Sequence, residues 1–502
     1  MKTLPQTEEF DIVIVGAGIS GIGAAKYITE AFPGKRVVIL EGRANIGGTW
    51  DLFKYPGIRS DNGLHTFGYE FKAWTDPDAI AEAPKILHYL QETLDEFDLN
   101  RLLRFEHSVR RASWSSEDAR WTLDVSTPDG DRRIATNWIF AGTGYYRYDE
   151  GYTPHFEGRE DFKGDIVHPQ HWPEDYDYAG KKVVVVGSGA TAVTLIPSML
   201  NHEGAAAHVT MLQRTPTYVV PWPKVDSFAQ LLSRVFGEQR GYAMTRFFNI
   251  WSDLAQVKLM RAFPKLTRTI IRRVNATSLP EGYDVDTHFN PPYDPWDQRL
   301  CLCPDGDFFE ALSTGAASIT TDRIERFTES GIALESGEHL DADLIVTATG
   351  LNMRLLGGID FDVDGAPIHL PDTVAYRGAL LSGVPNVAIS IGYTTSAWTL
   401  KVGILARYFC DLVKHMDAFG YDSVRVEADP AMERRPIVDL SSGYAQRARD
   451  VIPKQGTGLF QMSMSYQQDA KILRGPLLDD ALVFGSTTDD AAPSTEKEAV
   501  RV

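Results

Sequence analysis

Residues 10–21 read FDIVIVGAGISG, and residues 181–192 read KKVVVVGSGATA. Each begins with a short apolar run rich in branched side chains. That is the pattern of a strand buried on both faces of a parallel sheet. Glycines then follow at the spacing G-x-G-x-x-G/A: Gly16, Gly18 and Gly21 in the first copy, Gly187, Gly189 and Ala192 in the second. The first position permits a tight turn, the second lets backbone approach a pyrophosphate, and the third lets a helix pack close to its strand.

The flanks complete both units. Ile19 to Ala31 continues as a helix whose N-terminus faces a diphosphate. Arg36 to Leu40 is a second strand that ends on Glu41, 20 residues past Gly21, where an acid bonds ribose hydroxyls. In the second unit Pro197 kinks or ends the helix. The strand Val209 to Leu212 then ends at Gln213-Arg214-Thr215-Pro216 instead of an acid. An acid there would repel a 2′-phosphate, whereas an arginine pairs with it. The second site is therefore expected to prefer NADPH over NADH. Two such sites in one chain imply a flavin and a nicotinamide, hence FAD, NADPH and redox chemistry. The fold class is α/β, with two Rossmann-like dinucleotide-binding domains (FAD and NADP) and an inserted helical subdomain.

Bulk composition narrows the field. The chain has 502 residues, 43% apolar and 24% charged, with a net charge of −18. That is ordinary for a globular protein and argues against nucleic acid as a partner, since phosphate binding needs a basic face. Three cysteines, Cys301, Cys303 and Cys410, suggest a reducing compartment and no disulfide framework, and no metal site is expected. Neither an apolar N-terminal signal nor a run of about 18 apolar residues is visible, so a cytoplasmic location is expected.

Between the two units, Gly47-Gly48-Thr49-Trp50 and Tyr55-Pro56-Gly57-Ile58-Arg59-Ser60-Asp61 form a loop rich in glycine and aromatics. Such a segment can wrap a flat ring while its backbone donates to it. On the residues alone, Asp61 within Asp-Asn-Gly also reads as a turn acid. Residues 84–98 have the pattern of an amphipathic helix, and 103–111, 119–127 and 132–140 alternate as strands. Residues 225–280 read as helices. One face there carries Arg261, Lys265, Arg268 and Arg272, interleaved with Phe263, Leu266, Ile270 and Val274. A solvated basic face is the favoured reading and a membrane-surface helix the alternative. Asn290 to Phe309 reads as an ordered loop leading into a helix, Leu340 to Gly350 as a strand that crosses back, and Thr399 to Met416 as a helix. The expected division is an FAD domain at 1–149 and 353–484, an NADP domain at 150–224 and 297–352, a helical insertion at 225–296 and a disordered tail at 485–502.

The stretch Phe162 to Pro173, FKGDIVHPQHWP, lies between the two nucleotide signatures. Its pattern Phe162-x-Gly164-xxx-His168-xxx-Trp172-Pro173 resembles the fingerprint of the Baeyer–Villiger flavin monooxygenases. Gly47 to Asp61 resembles their longer signature. DQRLCLCPDGDFF (297–309) and GYTTSAWTLK (392–401) resemble the branch that includes the ethionamide-activating monooxygenase. Relatives that oxygenate nitrogen and sulfur usually lack tryptophan at the place of Trp172.

The resemblance implies a reaction. NADPH reduces FAD, reduced flavin and O2 give a C4a-peroxyflavin, and that species converts a ketone to an ester or lactone. The alternative is oxygenation of sulfur or nitrogen in small molecules, thioethers among them. A non-catalytic redox sensor is a third reading, and a disulfide reductase is disfavoured because no CxxxxC follows the first unit. Arg299 is implied as the cation that keeps the peroxide anionic, and Asp61 as the acid that orients it. Cofactor contacts are implied at Ser20, Gly48, Thr49, Trp50, Asp51, Val109, Arg59, Ser60 and Asp61. At the second site they are implied at Ser188, Thr191, Arg214 and Thr215. Phe162, Gly164, His168 and Trp172 are implied to couple nicotinamide binding to domain movement, with no proton-transfer role for His168. The sequence departs from several relatives at Gln298, where they carry a lysine beside the 2′-phosphate.

Overall fold

The computed structural model describes residues 7–200, 202–298, 300–393, 396–438 and 443–487. The two apolar runs lie inside two separate sheets, where continuous burial on both faces accounts for their lack of alternation. β1 (Glu8–Val15) leads through the glycine turn into α1 (Ile19–Ala31), then β2 (Val37–Leu40). Two single helical turns, α2 (Thr49–Leu52) and α3 (Leu64–Phe67), and the amphipathic α4 (Ala83–Glu96) precede β3 (Leu103–Arg104). β4 (Ser108–Ser115), β5 (Arg120–Ser126) and β6 (Arg132–Ala141) follow as an antiparallel meander. β1 lies between β2 and β6 and is parallel to both.

The chain leaves this sheet through β7 (Tyr146–Gly151) and enters the second at β8 (Asp165–Val167). β9 (Lys182–Val186), α5 (Ala190–Ser198) and β10 (His208–Gln213) repeat the strand–turn–helix–strand unit. Pro197 sits in the last turn of α5, which ends one residue later. β11 (Val219–Trp222) is followed by three helices, α6 (Ser227–Phe236), α7 (Glu238–Ala262) and α8 (Pro264–Thr277), and the short α9 (Val285–His288).

The expected loop at 290–309 holds a strand, β12 (Cys301–Pro304), parallel to β11. Its alternation is brief, so proline and aspartate masked it. α10 (Asp307–Ser313), β13 (Ala317–Thr321) and the small antiparallel sheet β14 (Ile324–Thr328), β15 (Gly331–Leu334) and β16 (His339–Asp341) lead to β17 (Leu344–Thr347). The second sheet is wholly parallel, in the order β13-β10-β9-β17-β8.

The return runs through β18 (Leu351–Met353), which pairs antiparallel with β7. β19 (Asp360–Val363), β20 (Ala366–Pro367), β21 (Ala375–Tyr376), β22 (Leu380–Leu381) and β23 (Val387–Ile389) then rejoin the first sheet, β23 lying parallel to β6. The 21-residue α11 (Thr399–Phe419) closes over α1, burying Ile404, Leu405 and Phe409 in the same core as Ile22 and Ile28. Gly485, where the tail was expected to begin, ends the strand Leu482–Gly485, and residues 488–502 lie outside the described set. All three cysteines are buried and free. Among the described residues no helix is long and apolar enough to cross a membrane.

Candidate active site

At the first nucleotide turn, backbone crowding dictates glycine. Gly16 has φ +100°, and a Cβ there would lie 2.8 Å from the Gly142 carbonyl oxygen. A Cβ on Gly21 would lie 1.9 Å from the Gly16 carbonyl oxygen. Gly18 opens α1 and faces Gly48, so two bare backbones form a cradle beside a helix N-terminus. Glu41 is 7% exposed and accepts from the Ala17 and Arg43 amides at 2.7 and 2.9 Å. Burial pushes its carboxyl above the usual range against those bonds. His107 N–H donates to the Glu41 carbonyl at 2.8 Å, which brings the start of β4 and Val109 beside the acid. A helix end, a side-chain-free cradle and an acid one strand over are what FAD's pyrophosphate and ribose require.

The loop after Gly47 spans the space between the two nucleotide turns. Gly48 has φ +56°, and Thr49 Oγ1 lies 3.2 Å from the Tyr148 hydroxyl. Trp50 packs edge-on to Phe67. Asp51 is buried between Arg43 at 2.7 Å and Lys54 at 3.2 Å. Gly57 (φ +73°) lies flush on α5, where a Cβ would come within 1.7 Å of Ser198 Oγ. Tyr55 is buried, hydrogen-bonds Thr191, and has its hydroxyl pushed well up by burial. Ser60 Oγ bonds the backbone of Asn62, and Asp61 accepts from the Asn62 amide at 2.8 Å. The Arg59 guanidinium is committed to Asp307, at the start of α10. Ser20 Oγ accepts from Trp398 Nε1 at 2.7 Å, and Trp398 stacks on Tyr145 with ring centroids 5.0 Å apart. These rings and Met353, Ile391, Tyr393 and Met464 line a narrow apolar slot.

The second turn repeats the first. Gly187 has φ +138°, and a Cβ there would meet the Ala348 carbonyl at 2.4 Å. Gly189 opens α5 with free space before it, and Ala192 is fully buried under the helix. Ser188 Oγ donates to the Thr215 carbonyl at 2.9 Å, which fastens the segment after β10 to the phosphate turn. Arg214 is exposed beside it, with no acid partner among the described residues. A helix N-terminus with an unpaired guanidinium fits a nucleotide bearing a 2′-phosphate.

Residues 162–173 lie across the crossover between the sheets. Phe162 packs with Val184, Leu212 and Ile345. Gly164 leaves room for the Asp343 carbonyl, 2.4 Å from where a Cβ would stand. β8 is the edge strand beside β17. His168 Nε2 lies 3.2 Å from the Gly350 carbonyl, and its Nδ1 accepts from the Gln170 amide at 3.2 Å. Burial holds the imidazole below its ordinary pKa. Its ring abuts Gly151, where a Cβ would come within 2.2 Å. Gln170 Nε2 donates to the carbonyls of Arg147 and Tyr148 at 2.7 and 2.9 Å, so this stretch reaches the Gly48–Thr49 loop through Tyr148. Trp172 is buried in a cluster that also holds Phe53 and Tyr55.

Sequence reasoning missed Gln170, Tyr148, Gly151 and Asp307. The first lies inside the fingerprint at an unspecified position, and Asp307 lies inside the 297–309 stretch, where nothing local marks it as the partner of Arg59. Arg299 lies outside the described residues. Its neighbours are anchored: Cys301 N–H donates to the Tyr218 carbonyl at 2.8 Å, and Asp307 holds Arg59, two residues before Asp61.

A family model of an NAD(P)-binding Rossmann-like domain matches residues 14–76. The FAD-containing monooxygenase EthA of Mycolicibacterium smegmatis is 47% identical over 94% of this chain and 96% of its own length. Among solved structures, an oxidized steroid monooxygenase bound to NADP superposes with a TM-score of 0.75 at 21% identity, covering 95% of this chain and all of that one. A closed cyclohexanone monooxygenase does so at 0.74 and 19%, covering 96% and all of that chain. At these identities the structural likeness is one of fold.

Proposed function

Because the chain belongs to the FAD-containing monooxygenases, in the branch of EthA, with FAD and NADPH as its cofactors, we propose that it is a Baeyer–Villiger enzyme. It would take a ketone, O2, NADPH and a proton to an ester or lactone, NADP⁺ and water. Bound FAD, reduced by NADPH, supplies the oxygen-transferring chemistry. The chain's own residues hold, orient and shield. Glu41 would accept from the adenosine ribose, and Arg214 would pair with the 2′-phosphate. Asp61 would orient the Arg299 guanidinium, and that cation would stabilise negative charge on the oxygen being transferred. His168, held neutral, would position the crossover and move no proton.

One observation carries this reading. A single fingerprint stretch bonds the crossover at Gly350 through His168 and the Gly48–Thr49 loop through Gln170 and Tyr148. Movement at one nucleotide site is thereby felt at the other, as a reaction needing both cofactors in turn requires. The pair Arg59–Asp307 supports the same assignment, since it fastens the loop of Asp61 to the start of α10, eight residues after Arg299. The proposal includes an FAD domain at 1–149 and 353–484, an NADP domain at 150–224 and 297–352, and a helical insertion at 225–296. It also includes a cytoplasmic setting, which the three free thiols support.

A second reading, oxygenation of sulfur or nitrogen, is favoured by the resemblance to the ethionamide-activating branch. A panel of ketones and thioethers with FAD-loaded protein separates the two. Ester formed in step with NADPH loss supports the first reading; sulfoxide formed with no ester from any ketone overturns it.

A further inference from the structure

Helices α6, α7 and α8 leave their greasy side chains outside. Twelve of the seventeen large hydrophobic residues exposed among the described residues fall between Trp222 and Ile270. On α6 they are Phe228, Leu231, Val235 and Phe236, while Ala229 and Leu232 face inward. On α7 they are Phe247, Phe248, Trp251 and Leu259, 49–61% exposed. Phe228 meets Phe248 with ring centroids 5.7 Å apart, so the two helices present one surface. On α8 Phe263, Leu266 and Ile270 point outward while Thr267, Ile271 and Asn275 point in. Arg261, Lys265 and Arg272 of the basic face expected from the sequence are exposed, and the apolar stripe is exposed beside them.

The helices cannot turn to hide it. A Cβ on Gly241 would lie 2.5 Å from the Ser233 backbone, so α6 and α7 are in closest contact. Arg246, on the inner face of α7, donates to the carbonyls of Thr66 and Gly68 at 2.8 Å and locks the helix to the protein body.

Charge identifies the occupant. Residues 227–277 contain nine Lys and Arg against two acids, Glu238 and Asp253, within a chain of net −18. Arg268 is spent inward on the Tyr218–Tyr293 loops, and Arg272 is paired with Asp286 at the surface. Arg234, Arg240, Lys265 and Arg273 are exposed, with no acid partner among the described residues. Apolar and aromatic residues flanked by free cations match the two layers of an anionic bilayer interface, acyl chains below and phosphates above. A protein this acidic elsewhere would be repelled from that surface except through this face. We propose that the helices 227–277 dock the enzyme peripherally on an anionic lipid bilayer.

Flotation of full-length, FAD-loaded protein with vesicles of pure phosphatidylcholine, or with roughly one-third phosphatidylglycerol, tests this. We expect binding at least about tenfold tighter to the anionic vesicles, and release at about 0.5 M NaCl. The combined variant Phe247→Ser, Phe248→Ser, Trp251→Ser should lose binding, as should Arg234→Glu with Lys265→Glu and Arg273→Glu. Both should keep flavin content and NADPH oxidation, which show that the fold is intact. Wild type remaining unbound, equal binding to neutral vesicles, or a dimer that the aromatic variant splits without any vesicle binding would each overturn the proposal.

Discussion

Arg59 and Asp307, 248 residues apart in the chain, meet in a two-point ion pair, with Nη1 2.5 Å and Nη2 3.3 Å from the two carboxylate oxygens. The pair joins the loop that ends at Asp61 to the start of α10. Hydrogen bonds between charged groups contribute about 1.5–3 kcal/mol each way they are lost. We expect Arg59→Ala and Asp307→Ala each to lower stability by that order, and the double variant to lose less than their sum. Denaturant unfolding of the four proteins measures the coupling. Ester formed per NADPH consumed should fall in both single variants if the tie also sets the site.

Gly57 makes a separate prediction about the same loop. A Cβ there collides with Ser198 on α5, and φ of +73° disfavours any side chain. Gly57→Ala should cost about 1–3 kcal/mol. Adding Ser198→Gly removes the collision but not the backbone strain of about 1–2 kcal/mol, so thermal unfolding should recover only in part.

For the nicotinamide site, Arg214→Ala should raise KM for NADPH by about 10–100-fold, the loss of one charged pairing of about 1.5–3 kcal/mol. KM for NADH should change little. Equal changes for both nucleotides would show that Arg214 does not read the 2′-phosphate.

At the reacting centre, Arg299→Ala should retain NADPH-driven flavin bleaching under nitrogen and lose ester formation by about 10²–10³-fold, the effect of one preorganised donor. Asp61→Asn should lose less, since a neutral amide still holds the guanidinium but no longer neutralises it. Unchanged ester formation by Arg299→Ala would remove the proposed role.

His168 gives a pH signature. The folded ring binds a proton less readily than the ordinary value of 6.5, because burial penalises its charge. Its contribution is therefore intact above about 6.5 and is lost as pH falls from there through the lowered folded value. The Tm of wild type should fall between about pH 7 and 5 more steeply than that of His168→Asn, which cannot titrate. Parallel curves would show that His168 does not contribute to the pH dependence.

How much of this was legible in the chain differs from residue to residue. The glycine turns, both central strands and α1 could be read because each rests on neighbours within a few residues: an apolar run, a fixed spacing, a terminal acid or arginine. β12 escaped because its partner, β11, is about eighty residues earlier and its four residues lack a period of their own. Asp51 and Arg59 could be placed near a cofactor but not paired with Arg43 and Asp307.

Local stereochemistry and burial periodicity are written into short windows, so the sequence by itself determined two nucleotide folds, their cofactors and the family. Tertiary structure decided what those folds share: the grip of Gln170 on the Tyr148 backbone, the tie of Arg59 to Asp307, and which face of α8 looks outward. These depend on distances between segments far apart in the chain, set by packing of whole sheets and helices, and no local pattern carries that information.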